Sequence, residues 1–248
     1  MPLTAEVSAS IVGASGLRSP LAWGGFVLAA TVLGAFVVIE RRRAAPFVPP
    51  KLLVESRFAR SAVAAMCQMF CLTATLLTIP LYVTTRWGTG SRTAGILVVA
   101  LPLAMTVLAP AAGLLTERWR PRQALRIGLL CLALAETGLM AVLASGDSGP
   151  GPMWTLVATA TCIGAGMALT QTPAAAGASR SAQEADSGAG LGVFNMLRFV
   201  GAATGGAAVA MILGDSPGGA APFAIVAAAC AGAALVALAV TFAGRTPR

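Results

Sequence analysis

The chain has 248 residues, of which 57% are hydrophobic and 10% charged, and its 17 Lys and Arg against 9 Asp and Glu give a net charge of +8. Soluble domains carry about 25% charged residues, so this composition, with a mean hydropathy of +0.82, excludes the ordinary soluble class and makes lipid the working solvent. The basic residues are scattered between apolar runs and form no continuous face, which argues against nucleic acid and for lipid headgroups as their partner.

Crossing about 30 Å of hydrocarbon takes about 20 helical residues, and seven runs qualify. Backbone groups cannot go unpaired in lipid, and runs of this length without two-residue alternation exclude a barrel. The predicted fold is therefore all-α, a polytopic transmembrane helix bundle.

Residues 1–20 precede the first run and lack the basic start of a cleavable signal peptide. The first run is Leu21 to Ile39, and ERRRAAPFVPPKLLVESRFAR follows it as a strongly basic connection over 40–60. The second, Ser61 to Val83, carries Gln68, a cavity candidate. The third, Thr93 to Leu115, ends in a turn that contains Glu117, Arg118, Arg120 and Arg122. A carboxylate at a helix C-terminus is disfavoured by the macrodipole, so salt bridges to these arginines and contacts with the next helix start are expected to compensate Glu117. Gly113, one turn earlier, would let another helix approach.

The fourth run, Ala124 to Leu143, holds Glu136 near its middle. An ionised side chain at that depth costs several kcal/mol, so Glu136 is expected to be protonated, paired or facing a wet cavity. Two readings stand: a proton carrier, or a neutral hydrogen-bonded glutamic acid. The fifth run, Met153 to Ala175, has Gly164 and Gly166 as notches for close packing, and the sixth, Leu191 to Gly214, adds Gly201 and Gly205 as a G-x-x-x-G pair. On the sixth, Asn195 and Arg198 lie three residues apart on a similar face. Arg198 either serves the bundle interior or snorkels to the headgroups. Phe70, Trp87, Phe194 and Phe199 are candidates for an apolar binding site or for lipid-facing anchors. The seventh run, Ala221 to Phe242, leaves a short tail over 244–248.

Arginine and lysine concentrate in alternate connections, which places the N-terminus outside and the C-terminus in the cytoplasm; the expected location is the cell (inner) membrane. The absence of histidine removes Ser/His nucleophiles and HExxH zinc sites. All five cysteines, Cys67, Cys71, Cys131, Cys162 and Cys230, fall in apolar runs without metal-ligand spacing and read as small packing residues. A retinal Schiff base would need a lysine in the last helix, and the sole lysine is Lys51. No enzyme site, metal site or cofactor is expected.

Gly113, Leu115, Glu117, Arg118 and Arg122 resemble the G-x-L-x-D-R-x-G-R-[RK] signature of the major facilitator superfamily, with Glu117 for Asp, Arg120 for Gly and Pro121 for Arg. ERRRAAPFVPPKLL (40–53) resembles the connection that enters the C-terminal domain of that superfamily's fourteen-helix drug:proton antiporters. CIGAGMALTQTPAAAG (162–177) is similar to their Gly-rich helix that a proline ends. The run 188–208, with Gly188, Gly192, Asn195, Arg198, Gly201 and Gly205 in place, resembles another of their helices.

The resemblance implies six helices over 61–243 forming a 3+3 inverted-repeat half, with 21–39 as an extra helix. It further implies the C-terminal half of a proton-coupled multidrug exporter that works by alternating access. Its partners would be protons, a small amphiphilic or cationic drug-like substrate and a separate N-terminal half. The rival expectation is a non-transporting relic or a membrane-protein interaction module.

Overall fold

The computed structural model describes residues 31, 55–119, 121–184, 188–214 and 219–242. Among these are six helices and no strand: α1 (Ser56–Arg86), α2 (Ser91–Arg118), α3 (Pro121–Ser145), α4 (Pro150–Glu184), α5 (Gly188–Gly214) and α6 (Ala221–Phe242). All six are long and apolar enough to cross a membrane. The expected extra helix over 21–39, apart from the helical Thr31, and the flanking segments 1–20, 40–54 and 244–248 lie outside the described residues.

The helices outrun the hydrophobic runs that announce them. α1 has 31 residues, about 46 Å at about 1.5 Å per residue, so its ends project beyond a hydrocarbon layer of about 30 Å. The expectation that a proline ends the Gly-rich helix is corrected: α4 passes through Pro173 and continues to Glu184. The Ala-rich stretch after Pro173 favours helix, and prolines inside membrane helices are tolerated where neighbours and hydroxyl groups satisfy the backbone. Pro80 of α1 and Pro102 and Pro110 of α2 are further cases. The α3–α4 turn begins at Gly146, whose φ of 68° is the left-handed conformation in which glycine closes a helix C-terminus without strain.

Helix pairing follows a two-fold rule. α1 packs on α4, α5 and α6; α4 packs on α1, α2 and α3; and α3 packs on α6. Exchanging α1, α2, α3 for α4, α5, α6 maps this set of pairs onto itself. Successive helices alternate in direction, so the two triplets run oppositely, which is the inverted repeat of a transporter half. α1 and α4 are the hubs, whereas α2 and α5 expose long apolar faces, such as Ile96, Val99, Leu103 and Val107 on α2.

Lipid tails are as apolar as leucine, so burial alone does not hold such helices together; closeness of packing does. The interior is accordingly rich in alanine, and glycines sit at the tightest crossings. A Cβ built on Gly164 would meet Leu101 O, and one on Gly166 would lie 2.7 Å from Leu132 N. On α5 a Cβ at Gly201 would meet Met66 O, and one at Gly205 would lie 2.5 Å from Phe70 O. Gly113 is different: a Cβ there would meet nothing within 4 Å, so within the described bundle it is no notch.

Candidate functional site: the buried polar stripe of α1

Gln68, Cys71, Thr75, Thr78 and Tyr82 recur on α1 at intervals of three and four, so they share one helix face. All five are buried, and the face looks inward rather than to lipid. Gln68 Nε2 donates to Gln171 Oε1 of α4 at 3.2 Å, leaving the buried Gln68 Oε1 without a hydrogen-bond partner. Thr78 Oγ1 and the Tyr82 hydroxyl are likewise buried and unpartnered. Tyr82 is held by edge-to-face contacts with Trp87 at 5.7 Å and Phe223 at 5.2 Å.

Glu136 meets this stripe at its centre. The side chain is 0% exposed; Oε1 accepts from Thr75 Oγ1 at 2.9 Å and Oε2 has no partner. Cys71 Sγ donates to the Cys230 carbonyl of α6 at 3.3 Å. The Cys71 and Cys230 sulfurs and a Glu136 carboxyl oxygen all lie within 4.8 Å of one another. The sequence shows no metal-ligand spacing among the cysteines, and it is the packing of α1, α3 and α6 that brings these three groups together. Thiol and carboxyl donors are types that zinc accepts, and here the set packs as a small polar knot in the core.

Gln68 and Glu136 thus belong to one inward stripe, whereas Asn195 and Arg198 do not. Both lie on α5, Asn195 exposed and Arg198 half-buried, with Arg198 Nη1 3.4 Å from Asn195 Oδ1 and Arg198 Nε buried without a partner. The aromatic candidates do not converge either. Trp87 is engaged in the turn beyond α1, where its Nε1 donates to Asp147 O at 2.9 Å; Phe194 is buried and Phe199 is 74% exposed.

In the α2–α3 turn, Arg120, one of the arginines expected to pair with Glu117, lies outside the described residues. Glu117 and Arg118 are exposed, and neither makes an ion pair among the described residues. The arginines of α3 reach a different helix end. Arg122 Nε donates to Thr241 O at 2.8 Å and Nη2 to Phe242 O at 3.2 Å. Arg126 Nη2 donates to Thr241 O at 3.0 Å and stacks 3.8 Å over the Phe242 ring. A cation at the negative end of α6 gains from both the dipole and the unpaired terminal carbonyls.

Residues 61–248 match the Major Facilitator Superfamily. The chain belongs to that superfamily. It is 28% identical over 199 residues, 80% of this chain and 34% of that protein, to the uncharacterized MFS-type transporter Rv1250 of Mycobacterium tuberculosis. It is also 28% identical over 167 residues, 67% of this chain and 35% of that protein, to the uncharacterized transporter YebQ of Escherichia coli. The chain thus spans about a third of the length of these relatives. The six described helices are half of a major facilitator fold.

Within that fold the Gln68–Gln171 bond ties the two hub helices together. Gln68→Leu is expected to destabilise the bundle by about 1–2 kcal/mol, because it leaves Gln171 unpaired. The double variant Gln68→Leu/Gln171→Leu is expected to recover most of this loss. Coupling energies between membrane helices average about 0.6 kcal/mol and reach about 1.7 kcal/mol. Thermal unfolding of the four proteins of this cycle in detergent measures it; strict additivity of the two single changes would show that the bond contributes nothing.

Proposed function

We propose that this chain is the C-terminal half of a proton-coupled exporter of small amphiphilic or cationic molecules, working by alternating access against an N-terminal half. The observation that carries the reading is the stripe on α1 with Glu136 at its centre. A protonatable carboxyl lies inside the membrane-spanning part, with one oxygen held and the other unengaged. Hydroxyl and amide groups extend from it in both directions along α1. In a chain without histidine, a membrane-embedded carboxylic acid is the natural carrier of a transported proton.

The outward faces of α2 and α5 support the need for a second half. On α5 the exposed stripe of Met196, Phe199 and Val200 also contains Asn195, and a polar amide facing lipid would be costly. Covering by another six-helix half, with a substrate path between, removes that cost. Gly113 on α2, open on this bundle, then becomes a position for close approach by that half. The arginine-rich ends of α1, α2, α3 and α4 are assigned to the cytoplasm by the positive-inside tendency, in an inner membrane.

The test is efflux of a cationic dye from cells that express this chain alone, beside an N-terminal half, or not at all. Export only on co-expression, abolished by collapsing the proton gradient, is the expected result. No export in any combination would overturn the proposal in favour of a non-transporting interaction module, and export that survives loss of the gradient would overturn the proton coupling.

A further inference from the structure

At the arginine-rich end, the first turns of α1 and α3 and the last turns of α4 enclose a cavity of about 590 Å³, lined by Arg57, Arg60, Arg122, Arg126 and Arg180. Leu125 and Pro173 add apolar wall. The five guanidinium groups come from three helices that are far apart in sequence, so the fold, and not a local basic run, gathers them. Among the described residues, Glu55 is the carboxylate that meets this group: it lies 4.0 Å from Arg57 and accepts from Ser181 Oγ at 3.0 Å.

Two further sources of positive potential point to the same place. α1 begins at Ser56 without a side-chain cap and α3 begins at Pro121, so the partly positive N-terminal ends of two helices border the cavity. Arg122 and Arg126 donate to carbonyls of α6, which fixes the planes of their guanidinium groups. Guanidinium groups held in fixed orientation match the tetrahedral oxygens of a phosphate in bidentate fashion. The cavity volume falls within the range of about 300–1,000 Å³ typical of small-ligand sites.

We infer that this cavity binds a phosphate group, carried by an anionic phospholipid headgroup or by a small soluble phosphate compound. The lipid source suits the location: the cavity lies at the ends of membrane-spanning helices, where headgroups are, and Leu125 and Pro173 offer apolar contact for a glycerol backbone. Basic pockets between helices at that level are suited to anionic headgroups. A headgroup seated there would bridge α1, α3 and α4 and balance the repulsion among the arginines. The site stands whether or not the chain exports drugs.

The test uses the full chain purified in a neutral detergent. Phosphatidylglycerol and phosphatidylcholine retained per protein are measured, together with the thermal shift produced by each lipid and by glycerol phosphate. Phosphatidylglycerol is expected to be retained preferentially and to raise the unfolding temperature. Arg57→Gln/Arg180→Gln avoids the two arginines that hold α6. It is expected to lose at least about tenfold in that preference, at about fivefold per arginine near an anionic headgroup. Arg57→Lys/Arg180→Lys, which keeps the charge but loses the guanidinium fork, should fall between the wild type and the glutamine variant, and Arg92→Gln, at the other end of the bundle, should keep all of it. Should the double glutamine variant not accumulate, the single Arg180→Gln change carries the same test at about fivefold. Protection by glycerol phosphate but not by phosphatidylglycerol would support the phosphate site with a soluble occupant. Equal retention of both lipids with no effect of glycerol phosphate, or wild-type selectivity in the glutamine variants, would overturn the inference.

Discussion

Gly201→Leu is expected to detach α5 from α1 and to cost at least about 3 kcal/mol, the upper end of what overpacking usually costs. The obstacle is the backbone of Met66, which a Cβ at position 201 would meet directly. A side chain there could rotate away, but a carbonyl within a helix cannot without breaking that helix. One turn on, Gly205 faces Phe70 O in the same manner, with a Cβ at 2.5 Å, so the two glycines form one seam and Gly205→Leu is expected to behave alike. Gly192 is the internal control. It lies on the same helix but nothing stands within 4 Å of a Cβ there, so Gly192→Ala is expected to be neutral or slightly stabilising, since alanine favours helix by up to about 1 kcal/mol over glycine. Thermal unfolding followed by size exclusion in detergent distinguishes the sites. Equal behaviour of the 192 and 201 variants would show that the helices do not approach as closely as the backbone distances require.

The existence of these crossings was legible in the sequence and their partners were not. Gly164, Gly166, Gly201 and Gly205 stand out because small residues are the means by which membrane helices approach, yet nothing local distinguishes them from Gly113, which opens on empty space. Length and hydropathy likewise located the six described helices. They missed the continuation of α4 through Pro173, because a proline reads as an end unless the packing around it is known. The energetic cost of Glu136 was evident from its depth, but its partner Thr75 lies 61 residues away on another helix. The polar stripe of α1 carried a usable signal, the recurrence of Gln68, Cys71, Thr75, Thr78 and Tyr82 at helical spacing, hidden because Cys, Thr and Tyr do not interrupt a hydropathy average. The arginines of the cavity were read as charges that fix loops on one side. Arg57 and Arg60 lie instead in the first turns of α1, and only the packing of α3 and α4 beside them turns separate charges into one site.

Glu136→Gln is expected to leave the fold standing and to remove proton coupling. The amide keeps the size of the carboxyl and an oxygen to accept from Thr75 Oγ1, which now bonds Glu136 at 2.9 Å, so a stability change within about 1 kcal/mol is expected. It cannot release a proton, and transport driven by a pH gradient is expected to fall at least about tenfold while proton-independent substrate exchange persists, as befits an intramembrane carboxyl that serves as a relay. Glu136→Ala separates structure from coupling. It opens a cavity in a core where the side chain is 0% exposed and strands the Thr75 hydroxyl, at an expected cost of about 2–4 kcal/mol. The two variants therefore oppose each other: the conservative one should be stable and uncoupled, the truncated one unstable. Assays in proteoliposomes that also hold the N-terminal half read coupling, and thermal unfolding reads stability. Gradient-driven transport unchanged in Glu136→Gln would make Glu136 a packing group and move the proton to some other residue. Unfolding of Glu136→Gln would instead require a charge on Glu136 paired within the bundle. Thr75 donates to one oxygen of Glu136 and the other has no hydrogen-bond partner among the described residues, so the change to Gln breaks no ion pair there and the stability reading and the coupling reading stay separate.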